Sequence, residues 1–383
     1  MGVVMKLTTA GESHGKALVA ILEGLPAHLK IDIDGVNAAL ALRQSGYGRG
    51  ARQKIEQDQV EILTGVRNKE TLGSPVTLCI YNKDYQNWSA CMADGACDEE
   101  TMRKKALTKV RPGHADLTGM LKFAQEDARN ILERASARET AIRVAAGEIF
   151  RQYLSALGVE IRGYVREICG IKDDAEYSFA ALEKATSTQT GMLDEGLETQ
   201  AMQKIARLKG DGDTAGGVAE IRVKGLKSGF GSMMTYAEKL DARLAQGLMS
   251  IQAVKGVEIG MGFAAASNSG KYVHDEIFYS NEKGFYRQTN RAGGIEGGMS
   301  NGEELVLRVA MKPIPTLMKG LKTVEFSTKE EAKAASERSD VCAIFALERI
   351  AESVVAQVLA EVVSARLGGD TMQEMQERYD KLP

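Results

Sequence analysis

The sequence predicts a mixed fold of interspersed helices and strands, α+β or α/β, and three patterns carry that expectation. Residues Ala219, Ile221 and Val223 alternate with Glu220, Arg222 and Lys224, and Leu305, Leu307, Val309 and Met311 alternate with Val306, Arg308 and Ala310. This is the period-two signature of strands. Ile142, Ala145, Ile149 and Tyr153 fall at helical spacing behind Ser136 and Glu139, an S-x-x-E capping box. A longer apolar stripe, Ile344, Leu347, Ala351, Val354, Val358 and Val362, marks a second helix.

Each element carries its own expectation. The 219–224 strand has polar alternates and is expected to turn them to solvent. The first helix starts beside Ser136, and the last has Ser339 or Asp340 in position as its cap. Asp84 to Glu100 and Asp173 to Gln200 are polar stretches of the kind that form surface excursions or lids. No fixed repeat, low-complexity linker or composition break divides the chain, so residues 1–367 are expected as one domain. Residues 368–383 follow as a polar C-terminal tail with the composition of a disordered segment.

Composition excludes several classes. The chain has 40 glycines and 6 prolines in 383 residues with no G-X-Y period, which rules out collagen and proline-rich disorder. Its net charge of −3 argues against general nucleic-acid binding, which needs a basic excess. No apolar run approaches the ~18 residues of a membrane span, and no signal sequence is expected, so a cytoplasmic protein is anticipated. Five cysteines without a C-x-x-C pair suit reduced thiols, and four histidines that never pair at ligand spacing leave no metal site in prospect.

The chemistry concentrates in five segments. Gly11-Glu12-Ser13-His14-Gly15 presents a histidine from a tight loop, with an ordinary surface histidine as the plain alternative. Arg43 to Arg52 sets Arg43, Arg49 and Arg52 on a glycine-rich loop, where guanidinium forks suit carboxylate or phosphate. Arg111-Pro112-Gly113-His114 is a turn with a cation and an imidazole. Arg134-Ala135-Ser136-Ala137-Arg138 is a helix N-terminus flanked by arginines, a setting that favours an anion. The run from Asn290 to Gly302 is glycine-rich without a dinucleotide or P-loop signature, and leads on to Lys312-Pro313-Ile314-Pro315-Thr316 and Arg338-Ser339-Asp340. Many arginines, two histidines and one carboxylate describe a site for a strongly anionic small molecule with proton transfer nearby.

These segments, in this order, resemble the chorismate synthase family. The matching stretches run from Gly11 to Gly15, Arg43 to Asp58, Arg111 to Gly119, Arg134 to Gly147, Asp241 to Gly260, Asn290 to Gly302, Lys312 to Thr316 and Arg338 to Cys342. Gln44 departs from the basic residue the family pattern places beside Arg43. The resemblance implies an α+β fold, a helical core sandwiched between antiparallel β-sheets, assembled as a homotetramer. It implies a lyase that eliminates phosphate from 5-enolpyruvylshikimate 3-phosphate to give chorismate for aromatic amino acids, using reduced FMN without net redox change.

By position match, His14 would protonate the departing phosphate, His114 would set the protonation of the flavin, and Asp340 would act with flavin N5 on the ring proton. Arg43, Arg49, Arg52, Arg111, Arg138 and Arg338 would hold substrate anions. Arg134, Ala135, Ser136, Gln252, Ala253, Gly298, Lys312, Pro313, Ile314, Pro315, Thr316 and Arg338 would line the flavin. No added reductase-like segment is visible, so NADPH is expected only indirectly, through an external flavin reductase. A non-catalytic flavin or organic-phosphate binder and a flavin oxidoreductase are the competing readings. The first has no need of His14, His114 and Asp340 together; the second would consume reductant in proportion to product.

Overall fold

Along Ala17–Glu23, Leu18, Ala20 and Leu22 are fully buried while Ile21 and Glu23 are exposed, and Val76, Leu78 and Ile80 repeat the pattern on Val76–Tyr81. Successive side chains of a strand point to opposite faces. These two strands, flanked by Lys6–Gly11 and Glu61–Thr64, therefore make a four-stranded antiparallel sheet with one apolar face. The computed structural model describes residues 4–50, 57–334 and 340–383.

A second antiparallel sheet has five strands in the order Val254–Ile259, Leu305–Met311, Gly217–Lys224, Glu160–Ile168 and Ile171–Lys172. Both strands expected from alternation lie in its interior. The helix Thr140–Ala156 packs on the first sheet, Ile344–Leu367 packs on the second, and the two helices pack on each other. The architecture is thus α+β, a helical layer between antiparallel sheets. A Cβ on Gly147 would overlap the Ser353 side chain. Glycine there is what lets the two helix backbones cross so closely.

Four expectations change on folding. Of the polar alternates of Gly217–Lys224 only Lys224 faces water; Arg222 is buried, and Glu220 is 0% exposed and accepts from Arg166 Nη1 at 2.7 Å, Arg222 Nε at 2.8 Å and Arg308 Nε at 2.9 Å. The reason is the polar stretch after Asp173. It folds over the sheet, burying Phe179, Leu182 and Ala185, and its Tyr177 carbonyl accepts from Arg222 Nη1 at 2.8 Å.

The capping box is also rearranged. Ser136 Oγ accepts from Arg138 N at 3.2 Å and opens a 3₁₀ turn, Ala137–Glu139, before the α-helix begins at Thr140. The Ser136 N–H already donates to Leu132 O of the preceding short helix, Arg129–Ala135, and Glu139 instead accepts from Thr9 Oγ1 at 2.8 Å. The long last helix begins at Ile344 with Ala343 in the cap position, so Asp340 does not cap it; Ser339 lies outside the described residues.

The expected tail is ordered from Met372 to Asp380 as a helix. A complete capping box of Thr371 and Glu374 starts it, and Met372, Met375 and Tyr379 are buried. Tyr379 Oη donates to Gly225 O at 2.7 Å, which ties this helix to the end of the second sheet's central strand. Its T-x-x-E signal was present in a segment whose overall polarity hid it. Among the described residues no helix is long and apolar enough to cross a membrane.

Candidate active site

The loop holding His14 joins the first two strands of the four-stranded sheet, and its geometry is set from outside. Asn82 Nδ2 donates to Glu12 O at 3.1 Å and Gly15 O at 2.8 Å. His14 is buried. Its backbone N–H donates to Glu133 Oε2 at 2.8 Å, and its Nδ1 lies 2.9 Å from Glu133 Oε1. Trp88 stacks on the imidazole with centroids 4.0 Å apart, and Lys105 Nζ and Arg129 lie over the indole at 3.7 and 4.9 Å. The first polar stretch is therefore a wall of the His14 site.

The arginines fall into graded settings. Arg138 donates to Asp58 Oδ2 at 2.7 Å and, through Nε and Nη2, to Asn82 Oδ1 at 3.0 and 2.8 Å. Arg43 donates to Thr140 Oγ1 and to Ala137 O, so it holds the start of the core helix. Gln44, the departure from the family pattern, accepts from Asp58 N at 3.1 Å. Arg134 is half exposed and donates to Gly11 O, Thr9 O and Thr9 Oγ1 at 3.0–3.2 Å. Burial lowers the pKa of Arg43, Asp58 opposes that shift, and Arg49 and Arg138 reinforce it. These charges, with Asp340, form one cluster.

Arg49 pairs with Asp340 at 2.9 Å, and the same carboxylate accepts from Gly50 N at 2.5 Å. Gly48, at φ +90°, seats this loop: a Cβ there would press on Ile205 and Cys342. Arg49, Gly50 and Asp340 line a cavity of about 1290 Å³ whose lining also includes Thr214 and Thr316.

Thr316 leads to the second histidine. His114 Nε2 is 3.0 Å from Thr316 Oγ1, and Nδ1 is 3.3 Å from Pro112 O. A carbonyl only accepts, so Nδ1 carries the hydrogen and Nε2 accepts from the threonine. Burial, then the Arg111 cation, pulls the imidazole pKa below its ordinary value, with Asp116 opposing. Arg111 is itself bound bidentately by Asp116 at 2.8 and 3.0 Å. Lys312 Nζ donates to Gly113 O at 2.6 Å and Thr316 bonds His114, so the 312–316 strip clamps the 111–116 turn, while Ile314 O accepts from Thr214 Oγ1 at 2.7 Å. Pro313 lies in this strip, and Pro315 packs against Gly113.

Ala253 O accepts from Lys312 N at 3.0 Å, which brings Gln252 and Ala253 to the same strip. Gln252 Oε1 and Arg49 Nε are buried with no hydrogen-bond partner among the described residues, one acceptor and one donor left for a ligand. Gly298 stands apart: its carbonyl accepts from Leu240 N at 2.8 Å, at the start of the helix Leu240–Met249. Arg52 and Arg338 lie outside the described residues. Sequence reasoning missed Glu133, Trp88, Asn82 and Asp58. Trp88 carried a signal, as the one tryptophan of the chain in an otherwise polar stretch. Asp58 closes the matched stretch from Arg43 without a role assigned to it, and Asn82 carried no signal.

Among the described residues no group of three or more His, Cys, Asp or Glu is arranged to hold a metal ion. What the arrangement can do is bind anions and move protons. The comparisons with known proteins agree in kind. The profile of the chorismate synthase family matches residues 5–363. A chorismate synthase of Caldicellulosiruptor bescii is 50% identical over 382 residues, covering 99% of each chain. One of Geobacter sulfurreducens is 49% identical over 386 residues, covering 98% of each. A crystal structure of chorismate synthase aligns with a TM-score of 0.79 at 37% identity, covering 99% of this chain and 97% of the other. Sequence and fold converge, and the chain belongs to the chorismate synthase family.

Proposed function

We propose that the chain catalyses the anti-1,4-elimination of phosphate and a ring proton from 5-enolpyruvylshikimate 3-phosphate, giving chorismate for aromatic amino acid biosynthesis in the shikimate pathway. The observation that carries this reading is the Arg49–Asp340 pair at 2.9 Å on a cavity that also reaches Thr316, the partner of His114. The substrate's two carboxylates and phosphate carry a charge of about −4, and guanidinium forks are matched to both groups. Arg49 and Arg138 are the described arginines best placed for them, with Arg52 and Arg338 assigned by position. Arg43 and Arg111 act from behind, through the core helix and Asp116.

His14 donates a proton to the oxygen of the departing phosphate, and Asp340 takes up the ring proton. His114, kept neutral by burial and Arg111, exchanges a proton at Nε2 beside Thr316. Reduced FMN, when bound, supplies electron density that the elimination borrows and returns. The residues present fit it: Lys312 and Arg134 for its phosphate, and the orphaned Gln252 Oε1 as an acceptor for a ring N–H. NADPH enters only indirectly, through an external flavin reductase.

A homotetramer is part of the same reading. Ile277, Tyr279 and Phe285 on the hairpin Ile277–Arg287 are 61–78% exposed, and exposed apolar side chains grouped in this way mark a protein contact. The cell compartment proposed is the cytoplasm.

The decisive assay supplies limiting pre-reduced FMN without oxygen or NADPH and counts product. Many chorismates per flavin, with the final spectrum that of reduced flavin, are expected. One product per flavin, with oxidised flavin left behind, makes the protein a redox enzyme instead.

A further inference from the structure

His14 has two ring nitrogens, and the donation proposed for it has to be assigned to one of them. Glu133 makes the assignment. Its Oε2 accepts the His14 backbone N–H at 2.8 Å, its Oε1 faces Nδ1 at 2.9 Å, and its carbonyl accepts the Ser13 N–H at 2.9 Å. The carboxylate is buried, and Arg129 Nη1 stands 3.8 Å from Oε1 as its cationic neighbour. A backbone N–H only donates and an ionised carboxylate only accepts. The hydrogen between Glu133 and the ring therefore sits on Nδ1. Trp88, stacked at 4.0 Å with an interplanar angle of 29°, blocks rotation of the imidazole out of that arrangement.

We propose that Glu133 is a positioning residue that locks His14 in the Nδ1–H tautomer, so that Nε2 alone moves the proton; this rests on the reading of His14 as donor to the phosphate. In the donating step the Nε2–H bond of the imidazolium breaks and an O–H bond forms on the departing phosphate. The ring is left neutral, with Nδ1–H still on Glu133. A carboxylate that fixes the tautomer of a proton-transferring histidine is a known catalytic device.

Glu133→Gln inverts this logic with little change of shape. The His14 backbone N–H still claims the side-chain oxygen, which turns the amide NH₂ toward Nδ1. Nδ1 must then accept, and the neutral ring carries its hydrogen on Nε2.

The test is ¹⁵N magic-angle-spinning NMR of the full chain labelled at its four histidines, with His14 assigned by loss of its signals in His14→Ala. The parent is expected to show protonated Nδ1 in the neutral ring, and Glu133→Gln protonated Nε2. Turnover of Glu133→Gln should fall about 10⁴-fold, the scale of turning a catalytic histidine to the wrong tautomer, with KM for the enolpyruvyl substrate unchanged. A neutral parent ring with its hydrogen on Nε2 overturns the proposal, and this spectrum decides it even where the variant fails to fold. So does a Glu133→Gln enzyme that keeps the Nδ1–H tautomer or the parental turnover. Full turnover in His14→Ala is a separate failure: it overturns the donor reading while leaving the tautomer assignment to stand on the spectrum.

Discussion

His14 and His114 both sit on glycine-flanked turns, yet the groups facing their rings differ in kind. Around His14 stand a carboxylate, Glu133, and an indole, Trp88; around His114 stand a carbonyl, Pro112, and a hydroxyl, Thr316, with the Arg111 cation close by. In both rings Nδ1 points to an acceptor. The difference lies at the far side: Nε2 of His114 is bonded to Thr316, whereas the His14 ring is held by Glu133 at one edge and by Trp88 on one face. In the proposed reaction the first imidazole delivers a proton outward. The other is kept neutral and tied to the strip assigned to the flavin.

The comparison is broken most directly by deletion. His14→Ala and His114→Ala should each lower turnover by about 10²–10⁴-fold, the usual share of a positioned proton-transfer group, with thermal unfolding near that of the parent. They should separate on cofactor: His114→Ala also changes the affinity for reduced FMN, and His14→Ala does not. Single-turnover kinetics with flavin titration measures both, and equal effects on flavin would erase the distinction.

Arg49 lies on the cavity that Thr316, the partner of His114, also lines. Arg49→Ala should weaken substrate binding by about 1.5–3 kcal/mol, the range for hydrogen bonds to charged groups, while FMN binding alone changes little. Titration calorimetry is the check; equal losses for both ligands would move this loop to the cofactor side.

Thr316→Val tests the far side of His114. It removes the hydroxyl that donates to Nε2, and the expected cost to stability is about 0.5–1.5 kcal/mol, read by denaturant unfolding. A neutral result would mean that the hydroxyl does not hold the ring.

The smallest effect is in pH. Burial and Arg111 depress the His114 pKa, so the ring should titrate below its unfolded value of about 6.5. The unfolded chain then binds the proton first as pH falls. The stability associated with the neutral ring is fully present above about pH 6.5 and is lost as pH falls toward the folded value. His114→Gln should flatten that part of the acid-side decline in a denaturation series, and an unchanged slope would contradict the shift.

Much of the frame was legible because periodicity records which side of an element meets the core. The alternation at 305–311 and the stripe from Ile344 to Val362 correspond to an interior strand and to a core helix. Polar periodicity was less informative. Glu220 and Arg222 carry the pattern of a wet face, but Arg166 and Arg308 from neighbouring strands neutralise Glu220 under the 173–187 cover. A charge alternation specifies a face, not what lies over it. The C-terminal helix was hidden for the opposite reason: its three buried side chains are too few to mark a segment as apolar, and its capping box is local.

The site divides along the same line. The sequence by itself determined the residue types and their local presentation: histidines on glycine-flanked turns, arginines on loops and at a helix start, and the 312–316 strip. These depend on backbone preferences within a few residues. Tertiary structure alone decided the partners. Glu133 reaches His14 from 119 residues away, Thr316 reaches His114 from 202, and Asp340 reaches Gly50 from 290. Whether a nitrogen donates or accepts depends on the group opposite it, and that group is brought there by sheet register and helix packing, which no local pattern of residues encodes.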